Sequence, residues 1–334
     1  MAEAGTNTKK LLLSDSLGTE ARALLATRDD ITPVYFPHLI PNDEFLERVK
    51  AEAPVAAWVL GATRITPTEI EAAQGLVLTA RMGVGYDAID VPAHTERGLP
   101  VMTAGLGNAP SVAEHAVHMM LMLVKKAPAL DKLVRDGDWL KRMSIAPGDL
   151  LGKTVLVIGF GRIGTRTAKR CLAMEMDVAV YDPYVDARAI EAAGCRAVSD
   201  LDGAIPAADF ITIHCPKTPE TLSLFNEARL GRMKPTAYLV NTARGGLIDE
   251  DALLAALKSG AIAGAGLDVV AEEPASADHP LFALDNVVVS PHMAGVTREA
   301  VDRMSVIAIQ NILSVFDGVP IKENCINPGV FDAG

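Results

Sequence analysis

The sequence predicts an α/β protein with two parallel-sheet domains. Its 334 residues exceed what a single core usually organises, so two domains are expected. Short apolar runs alternate with longer helical patterns along most of the chain, which is typical of parallel strands joined by crossover helices. Hydrophobic residues make up 49% and charged residues 22%, so the composition is that of a globular protein rather than a disordered one.

The first alternation covers the N-terminal part of the chain. Its strand patterns lie at residues 10–14, 31–35 and 56–60, and its helical patterns lie near residues 19–26, 43–51 and 67–73. Asn42 and Thr66 precede two of these helices, and Pro67 would occupy a first turn. Polar caps and a proline in the first turn are typical of helix starts.

A longer helix is predicted over residues 111–126. Pro110 suits its entry, and Ser111 with Glu114 fits a capping box. The segment is apolar on most of its sides. Because a helix without a polar face is usually buried, we expect this one to lie between domains or between subunits.

A second alternation begins at Lys153. Its strand patterns lie at residues 154–158, 177–181, 210–214, 238–241, 264–268 and 287–290. A last helix over residues 298–316 leads to a tail that should pack back on the first domain. The outer domain would then be discontinuous, comprising residues 1–106 and 296–334, and residues 107–295 would form the inner domain.

Charge and targeting signals disfavour several classes of protein. The formal net charge of −11 would repel nucleic acid on average. No apolar run approaches the roughly 20 residues of a membrane helix, and residues 1–10 lack the apolar stretch of a secretory signal. The four cysteines form no CxxC pair, as expected of reduced thiols. We therefore expect a cytoplasmic protein with no membrane or nucleic-acid partner.

A GxGxxG motif lies between a predicted strand and a predicted helix. Gly159 permits a tight turn, Gly161 lets a pyrophosphate approach the backbone, and Gly164 allows the helix to pack closely on the strand. The helix start, with Arg162 and Ile163, offers N–H groups to phosphate. The motif alone is weakly specific, but its context on both sides predicts dinucleotide binding.

Asp182 ends the next predicted strand, about 20 residues further on. A carboxylate at this place can accept hydrogen bonds from both ribose hydroxyls, and it would repel the 2′-phosphate of NADP. Asp182 before Pro183 also fits an ordinary turn cap. We favour the first interpretation, which makes NAD the expected cofactor.

Three further motifs follow predicted strands, at residues 241–246, 267–274 and 290–295. Ligands of open parallel sheets bind beyond the carboxyl ends of the strands. The three motifs are therefore expected on the same rim as the dinucleotide.

With these motifs, the chain resembles the D-isomer-specific 2-hydroxyacid dehydrogenase family over nearly its whole length. The likeness also includes residues 82–87 and 111–114, and several spaced motifs in one order make it highly specific. The resemblance implies two Rossmann-like domains, the outer one discontinuous, with the active site in the cleft between them. It implies NAD-dependent hydride transfer at C2 of a small 2-hydroxy acid.

The chemistry of that reaction and the resemblance together assign a catalytic set. Loss of hydride from C2 requires loss of the hydroxyl proton, and a histidine such as His292 titrates in the useful range. The forked donors of Arg244 suit a substrate carboxylate. The family places its glutamate where Glu273 stands, beside the histidine, and Glu272 is the neighbour that could be mistaken for it.

The resemblance also implies binding residues. The backbone of Gly83, Val84 and Gly85 should bind the substrate carboxylate together with Arg244 and His292. The nicotinamide end should be held by Asp268, Thr242 and Ala243. His214 and Cys215 should form a wall of the cofactor pocket.

Ordinary interpretations exist for several of these residues. Arg244, Glu273 and His292 could each be a plain loop residue, and only their joint occurrence with the glycine motif favours catalysis. His115 and His118 lie three residues apart, which fits two metal ligands. No third ligand is evident, so we expect no metal.

The substrate is less well defined. The chain is most similar to the phosphoglycerate dehydrogenase and hydroxypyruvate or glyoxylate reductase branches. Phosphoglycerate would need extra cations, for which Arg64, Lys141 and Arg142 are candidates, although each could be a solvated surface charge. Ala109 and Pro110 lack the polar side chains that phosphoglycerate-type chains often carry there.

The same fold is also compatible with other functions, and the sequence predicts how the chain ends and assembles. An NAD(H)-sensing, corepressor-like binding protein of the same fold stays open, because such relatives keep the catalytic residues. The formate dehydrogenase branch is disfavoured, because it has glutamine in place of Glu273. The chain ends shortly after its last predicted helix, so no C-terminal regulatory domain is expected. Helix 111–126 is expected in a homodimer interface, as in family dimers.

Overall fold

The structure, a computed structural model, describes residues 8–61 and 63–332. Residues 1–7, 62, 333 and 334 of the expected outer domain lie outside the described residues, and with them most of the polar N-terminal segment. The chain divides into two compact units, Met1–Asn108 with Gly295–Gly334, and Ala109–Ala294. Each is an α/β unit with one parallel sheet, so the predicted fold class is confirmed.

The first unit contains a five-stranded parallel sheet within the described residues, in the order β2-β1-β3-β4-β5. Its strands are β1 Lys9–Ser14, β2 Ile31–Phe36, β3 Ala57–Leu60, β4 Leu78–Arg81 and β5 Val101–Thr103, and its helices are α1 Thr19–Leu25, α2 Asn42–Glu52, α3 Pro67–Ala72 and α4 Val91–Glu96. Side chains of β1 alternate between two apolar cores. Leu11 and Leu13 join one, and Leu12 joins the other with Trp58. Both faces are buried, as is usual for a parallel sheet.

The second unit contains a seven-stranded parallel sheet in the described chain, in the order β12-β11-β10-β9-β6-β7-β8. Its strands are β6 Thr154–Ile158, β7 Asp177–Tyr181, β8 Arg196–Val198, β9 Phe210–Ile213, β10 Tyr238–Asn241, β11 Gly264–Leu267 and β12 Val287–Val289, and its helices are α5 Ala109–Val124, α6 Ala127–Arg135, α7 Gly164–Ala173, α8 Ala187–Ala192, α9 Leu201–Ala204, α10 Glu227–Leu230 and α11 Glu250–Ser259. The strand order reverses between β6 and β9. In sheets of this kind, ligands bind at the carboxyl ends of the strands that flank the reversal.

The last helix, α12 Arg298–Phe316, belongs to the first unit and has the predicted bounds. Its Ala308, Ile309 and Ile312 join the core that contains Leu11 and Leu13, which explains why the chain returns there. The tail then pairs with β5, since the Ile326 N–H donates to the Val101 carbonyl at 2.8 Å. Short 3-10 helices lie at Trp139–Ser144, Ile205–Ala207, Pro280–Ala283, Lys322–Asn324 and Pro328–Phe331.

The long helix differs from its prediction at both ends. It begins at Ala109, so Ser111 lies inside the first turn, and the predicted capping box at Ser111 is wrong. Proline lacks an N–H and fits a first helical turn, which lets the helix start before Pro110. At the other end, Lys126 has a φ of 53°, a left-handed conformation that ends the helix.

Of the two other predicted helix caps, one is present in the structure and one is not. Thr66 forms the capping box of α3, with its N–H donating to the Glu69 carboxylate at 2.7 Å. Asn42 is the first residue of α2 rather than its cap, and its amide donates to the Arg64 carbonyl. Strands β4, β5 and β8 were not predicted. Runs of three or four residues carry little periodic signal, and pairing with neighbouring strands decides their conformation.

None of the helices in residues 8–61 and 63–332 has the length and apolar character needed to cross a membrane.

Candidate active site

The loops after β6 and β9 meet where the strand order reverses. Gly159 has a φ of +91°, and a Cβ there would lie 2.8 Å from the Cys215 nitrogen. A Cβ on Gly164 would lie 1.9 Å from the Gly159 carbonyl oxygen. Gly161 differs, because a Cβ there would meet no described atom within 4 Å. The fold therefore requires the outer two glycines, whereas Gly161 leaves the turn open to an approaching group.

Helix α7 starts directly after this turn. Among the described residues, no side chain caps its N-terminus. Ile163 is half-buried at the N-cap position, and Arg162 is exposed. The first N–H groups of a helix lack partners within the helix and carry the positive end of its dipole. This end of α7 can therefore bind a phosphate group.

Asp182 follows β7 and lies against the glycine turn. Its carboxylate accepts the Phe160 N–H at 2.7 Å and the Tyr184 N–H at 2.9 Å. Asp182 therefore caps this turn, as one of the two interpretations of the sequence expected. A carboxylate has about four acceptor positions, so two remain for a ribose.

His214 and Cys215 lie in the loop after β9. Nε2 of His214 is 2.9 Å from the Thr212 hydroxyl, and its Nδ1 is enclosed with no partner in the described chain. Burial lowers the pKa of His214 to about 3 and raises the pKa of the Cys215 thiol to about 11. Both side chains are therefore neutral near pH 7, which suits the wall of a cofactor pocket. A reactive cysteine would instead need a lowered thiol pKa.

Arg244 lies in a loop after β10 that Asn241 organises. The Asn241 side chain donates to the Arg244 carbonyl at 2.8 Å and accepts the Ala243 N–H at 3.0 Å. A Cβ on Gly245 would lie 1.8 Å from the Val270 carbonyl oxygen, so this loop lies directly against the one after β11. Thr242 is buried, and its hydroxyl has no partner among the described residues.

Asp268, at the end of β11, is 1% exposed and holds the loop after β12. Its Oδ1 accepts the Ser290 hydroxyl and the Met293 N–H, and its Oδ2 accepts the Ala294 N–H at 2.9 Å. Its backbone carbonyl also accepts the His292 N–H at 2.8 Å. One buried carboxylate thus determines the path of the segment that carries His292.

His292 and Glu273 form a side-chain pair. Nδ1 of His292 lies 2.7 Å from Oε2 of Glu273, and the other oxygen of Glu273 accepts the Val270 N–H at 3.2 Å. The side chains are 48% and 35% exposed, so water can reach the pair. A carboxylate only accepts, so Nδ1 carries the proton and Nε2 is left as the acceptor. Glu272, the neighbour, is exposed.

The predicted carboxylate-binding loop belongs to the first unit and follows β4. Gly83 has a φ of +113°, which favours glycine, and its carbonyl accepts the Ala104 N–H. The Arg81 guanidinium donates to the Gly85 carbonyl at 2.9 Å. Val84 lies between two glycines in a loop fixed by backbone contacts.

The candidate phosphate-binding cations do not form a cluster within either unit. Arg64 belongs to the first unit, and Lys141 and Arg142 belong to the second. Lys141 pairs with Asp138 at 2.8 Å. All three residues are exposed.

The two histidines of α5 have different surroundings. Nε2 of His115 lies 2.9 Å from the Ser290 hydroxyl, whereas His118 is exposed. In residues 8–61 and 63–332 no group of three or more His, Cys, Asp or Glu side chains is arranged to hold a metal ion.

Sequence reasoning did not identify Asn241, Ser290 or the contact of His115 with the loop after β12. Asn241 and Ser290 stand in motifs that were recognised, and a polar residue at the end of a buried strand was the available signal. Nothing in the sequence pairs His115 with Ser290, because 175 residues separate them.

Comparison with known proteins identifies the family of this chain. Residues 117–294 match the profile of the D-isomer specific 2-hydroxyacid dehydrogenase family, NAD binding domain. A D-3-phosphoglycerate dehydrogenase of Archaeoglobus fulgidus is 43% identical over 287 residues, which is 86% of this chain and 53% of that protein. The chain thus spans about half the length of the curated relatives it matches.

Solved structures match over nearly their full length. A D-lactate dehydrogenase of Aquifex aeolicus, complexed with NAD and lactic acid, superposes with a TM-score of 0.81 at 29% identity, covering 95% of this chain and 99% of that one. A glyoxylate reductase of Paecilomyes thermophila has a TM-score of 0.84 at 27% identity, covering 96% and 98%. This chain therefore belongs to the D-isomer specific 2-hydroxyacid dehydrogenase family.

Proposed function

We propose that this chain is an NAD-dependent dehydrogenase of small 2-hydroxy acids, working equally as a 2-keto acid reductase. The observation that carries the proposal is the His292–Glu273 pair, with Nδ1 2.7 Å from the carboxylate. It lies in the unit that matches the family's NAD-binding domain. His292, Glu273 and Arg244 are the proposed catalytic set.

The residues at the strand-order reversal fit the cofactor. Gly161 borders open space, the start of α7 is uncapped among the described residues, and Asp182 keeps acceptor capacity for a ribose. The buried, unpartnered Thr242 hydroxyl, with Ala243 and Asp268, suits the nicotinamide end. When bound, the nicotinamide supplies or accepts the hydride. Asp182→Ala should narrow the preference for NAD over NADP at least about tenfold, and an unchanged preference would assign cofactor choice to another group.

His292 exchanges the proton. Because Glu273 accepts from Nδ1, Nε2 is the atom that takes the C2 hydroxyl proton during oxidation and returns it during reduction. The Glu273 carboxylate accepts from Nδ1 and so holds the ring in one tautomer. Arg244 binds the substrate carboxylate through its forked donors. The N–H groups of Gly83, Val84 and Gly85, in the first unit, are proposed as further substrate-binding donors.

The substrate class rests on the named relatives. Curated relatives are D-3-phosphoglycerate dehydrogenases, and structural neighbours act on lactate and glyoxylate by their names. Lys141 is already paired with Asp138, which weakens its candidacy as a phosphate ligand. We propose 3-phosphoglycerate and hydroxypyruvate or glyoxylate as the first substrates to test.

The test is NADH oxidation by the purified chain against 3-phosphohydroxypyruvate, hydroxypyruvate, glyoxylate, pyruvate, 2-ketoisocaproate and phenylpyruvate. We expect one acid to be preferred by a factor of about 100 in kcat/KM, or about 2.7 kcal/mol. Binding of NADH without turnover of any acid would instead favour the sensor alternative.

We also propose a homodimer formed through the second unit. Most apolar side chains of α5 are already buried within one chain, so they do not need a partner. Three exposed apolar side chains lie close together in sequence, in the 3-10 helix that follows α6: Trp139, Leu140 and Met143 are 61%, 88% and 86% exposed. Leu140→Glu with Met143→Glu should convert a dimer to a monomer in light scattering, and Leu39→Glu in the first unit is the control. A wild-type monomer at micromolar concentration would contradict the proposal.

The proposed location is the cytoplasm. All four cysteines are free thiols, which fits a reducing compartment.

A further inference from the structure

His115 contacts the loop that carries the proposed acid/base residue. Its ring lies on α5, and its Nε2 is 2.9 Å from the Ser290 hydroxyl. The Ser290 hydroxyl in turn contacts Oδ1 of Asp268. The three side chains form a chain of hydrogen bonds that starts on a helix and ends at a buried carboxylate.

The direction of these hydrogen bonds follows from the groups themselves. The Asp268 carboxylate only accepts, so the Ser290 hydroxyl donates its single proton to it. Ser290 must then accept from His115, which fixes the proton of the neutral ring on Nε2. Burial lowers the pKa of His115, with the Asp268 charge acting in the opposite direction, so a neutral ring is favoured.

This chain acts on the backbone around His292. Asp268 accepts the N–H groups of Met293 and Ala294, and its backbone carbonyl accepts that of His292. His292 has a φ of 55°, in the left-handed region that non-glycine residues adopt only when their surroundings hold them there. A donor that orients Ser290 and Asp268 therefore helps to hold that conformation.

The helix under His115 gives it a fixed position. A Cβ on Gly266 would lie 3.0 Å from the Met119 Cβ, and one on Gly264 would lie 3.4 Å from a Leu123 methyl group, so α5 lies directly on β11. Glu114 also pairs with Arg170 of α7 at 2.7 Å. His115 thus projects from a helix packed against the strand that ends at Asp268.

We propose that His115 is a positioning residue for His292, acting through Ser290 and Asp268. It touches neither substrate nor cofactor in this role; it supplies one N–H that keeps the loop after β12 in its catalytic conformation. This inference rests on the proposed function for its kinetic consequence, whereas its structural consequence is independent of any activity.

Two substitutions separate the hydrogen bond from the bulk of the ring. His115→Leu keeps volume and removes the donor, whereas His115→Gln keeps a donor that can reach Ser290. We expect the leucine variant to lose about threefold to tenfold in kcat, the scale of one neutral hydrogen bond. Hydrogen exchange at the amides of Met293 and Ala294 should accelerate by a similar factor. The glutamine variant should recover most of both losses.

Lys258→Gln is the control, since Lys258 is an exposed side chain on α11 of the same unit. Wild-type exchange and kcat in the leucine variant would overturn the proposal. Equal loss in the leucine and glutamine variants would also overturn it, because the ring rather than its N–H would then matter. If the wild-type protein reduces no acid, the proposed function fails, and the exchange rates still decide the role of His115.

Discussion

Replacement of Asp268 by asparagine should loosen the His292 loop. In the wild type, Oδ1 accepts from Ser290 and Met293, and Oδ2 accepts from Ala294. An amide keeps one acceptor and gains an N–H₂ group. If the amide nitrogen replaces Oδ2, that nitrogen faces the Ala294 N–H. If the amide is flipped, the nitrogen replaces Oδ1 and faces the Met293 N–H. In either orientation, a backbone donor loses its acceptor.

The magnitude follows from those contacts. An unsatisfied buried donor costs about 1–3 kcal/mol, and the remaining hydrogen bonds lose their charged acceptor. Asp268 is 1% exposed, so water cannot take over. We expect the second unit to be destabilised by about 2–4 kcal/mol, which for a unit of this size lowers the Tm by roughly 4–16 °C.

The assay is thermal unfolding of wild type and Asp268→Asn in one buffer, with hydrogen exchange to locate the effect at residues 290–294. Asp177→Asn removes an exposed carboxylate of the same unit and is the control. A Tm within about 2 °C of the wild type, with unchanged exchange in the loop, would refute the reasoning.

Three further predictions concern catalysis, the cofactor and pH. Glu273→Gln should lower keto-acid reduction up to about fivefold, since a solvent-exposed ion pair contributes up to about 1 kcal/mol. Glu272→Gln should keep the wild-type rate, and equal effects of the two substitutions would mean that the wrong glutamate was chosen. Gly161→Ala should keep the wild-type Tm but bind NADH more weakly in fluorescence titration. Gly164→Ala should lower both the Tm and the NADH affinity, because its Cβ would lie 1.9 Å from the Gly159 carbonyl oxygen. Normal NADH affinity in Gly161→Ala would argue against phosphate binding there. The pKa of His214 falls from 6.5 to about 3 on folding, so the unfolded chain binds the extra proton and stability is lost as pH falls below about 6.5. His214→Asn should reduce that slope by up to about 1.4 kcal/mol per pH unit in urea unfolding, and an unchanged slope would contradict the shift.

Periodicity and local motifs predicted much of the fold. The bounds of α12 and of β6, β7 and β10 match their predictions, because long or continuous apolar patterns report burial directly. The start of α5 did not match. Ser111 has the residue type of a cap, but a proline one residue earlier is compatible with a helix already begun.

In the candidate site, too, local motifs identified some residues and only the fold decided how others pair. The glycine positions, Asp182, Arg244, Glu273 and His292 stand in contiguous motifs whose residue types state their chemistry. Which glutamate lies against the imidazole could be assigned only by likeness to a family. In the structure Glu273, and not Glu272, lies 2.7 Å from His292.

The sequence by itself determined the parallel α/β architecture, the glycine turn and the types of side chain at the strand ends. Only the tertiary structure decided how those side chains are held. Asp268 joins β11 to the loop after β12, and His115 reaches Ser290 across 175 residues. Such contacts leave no local pattern, because they depend on which strands become neighbours in the sheet, and that order is fixed by packing of the whole unit rather than by adjacent residues.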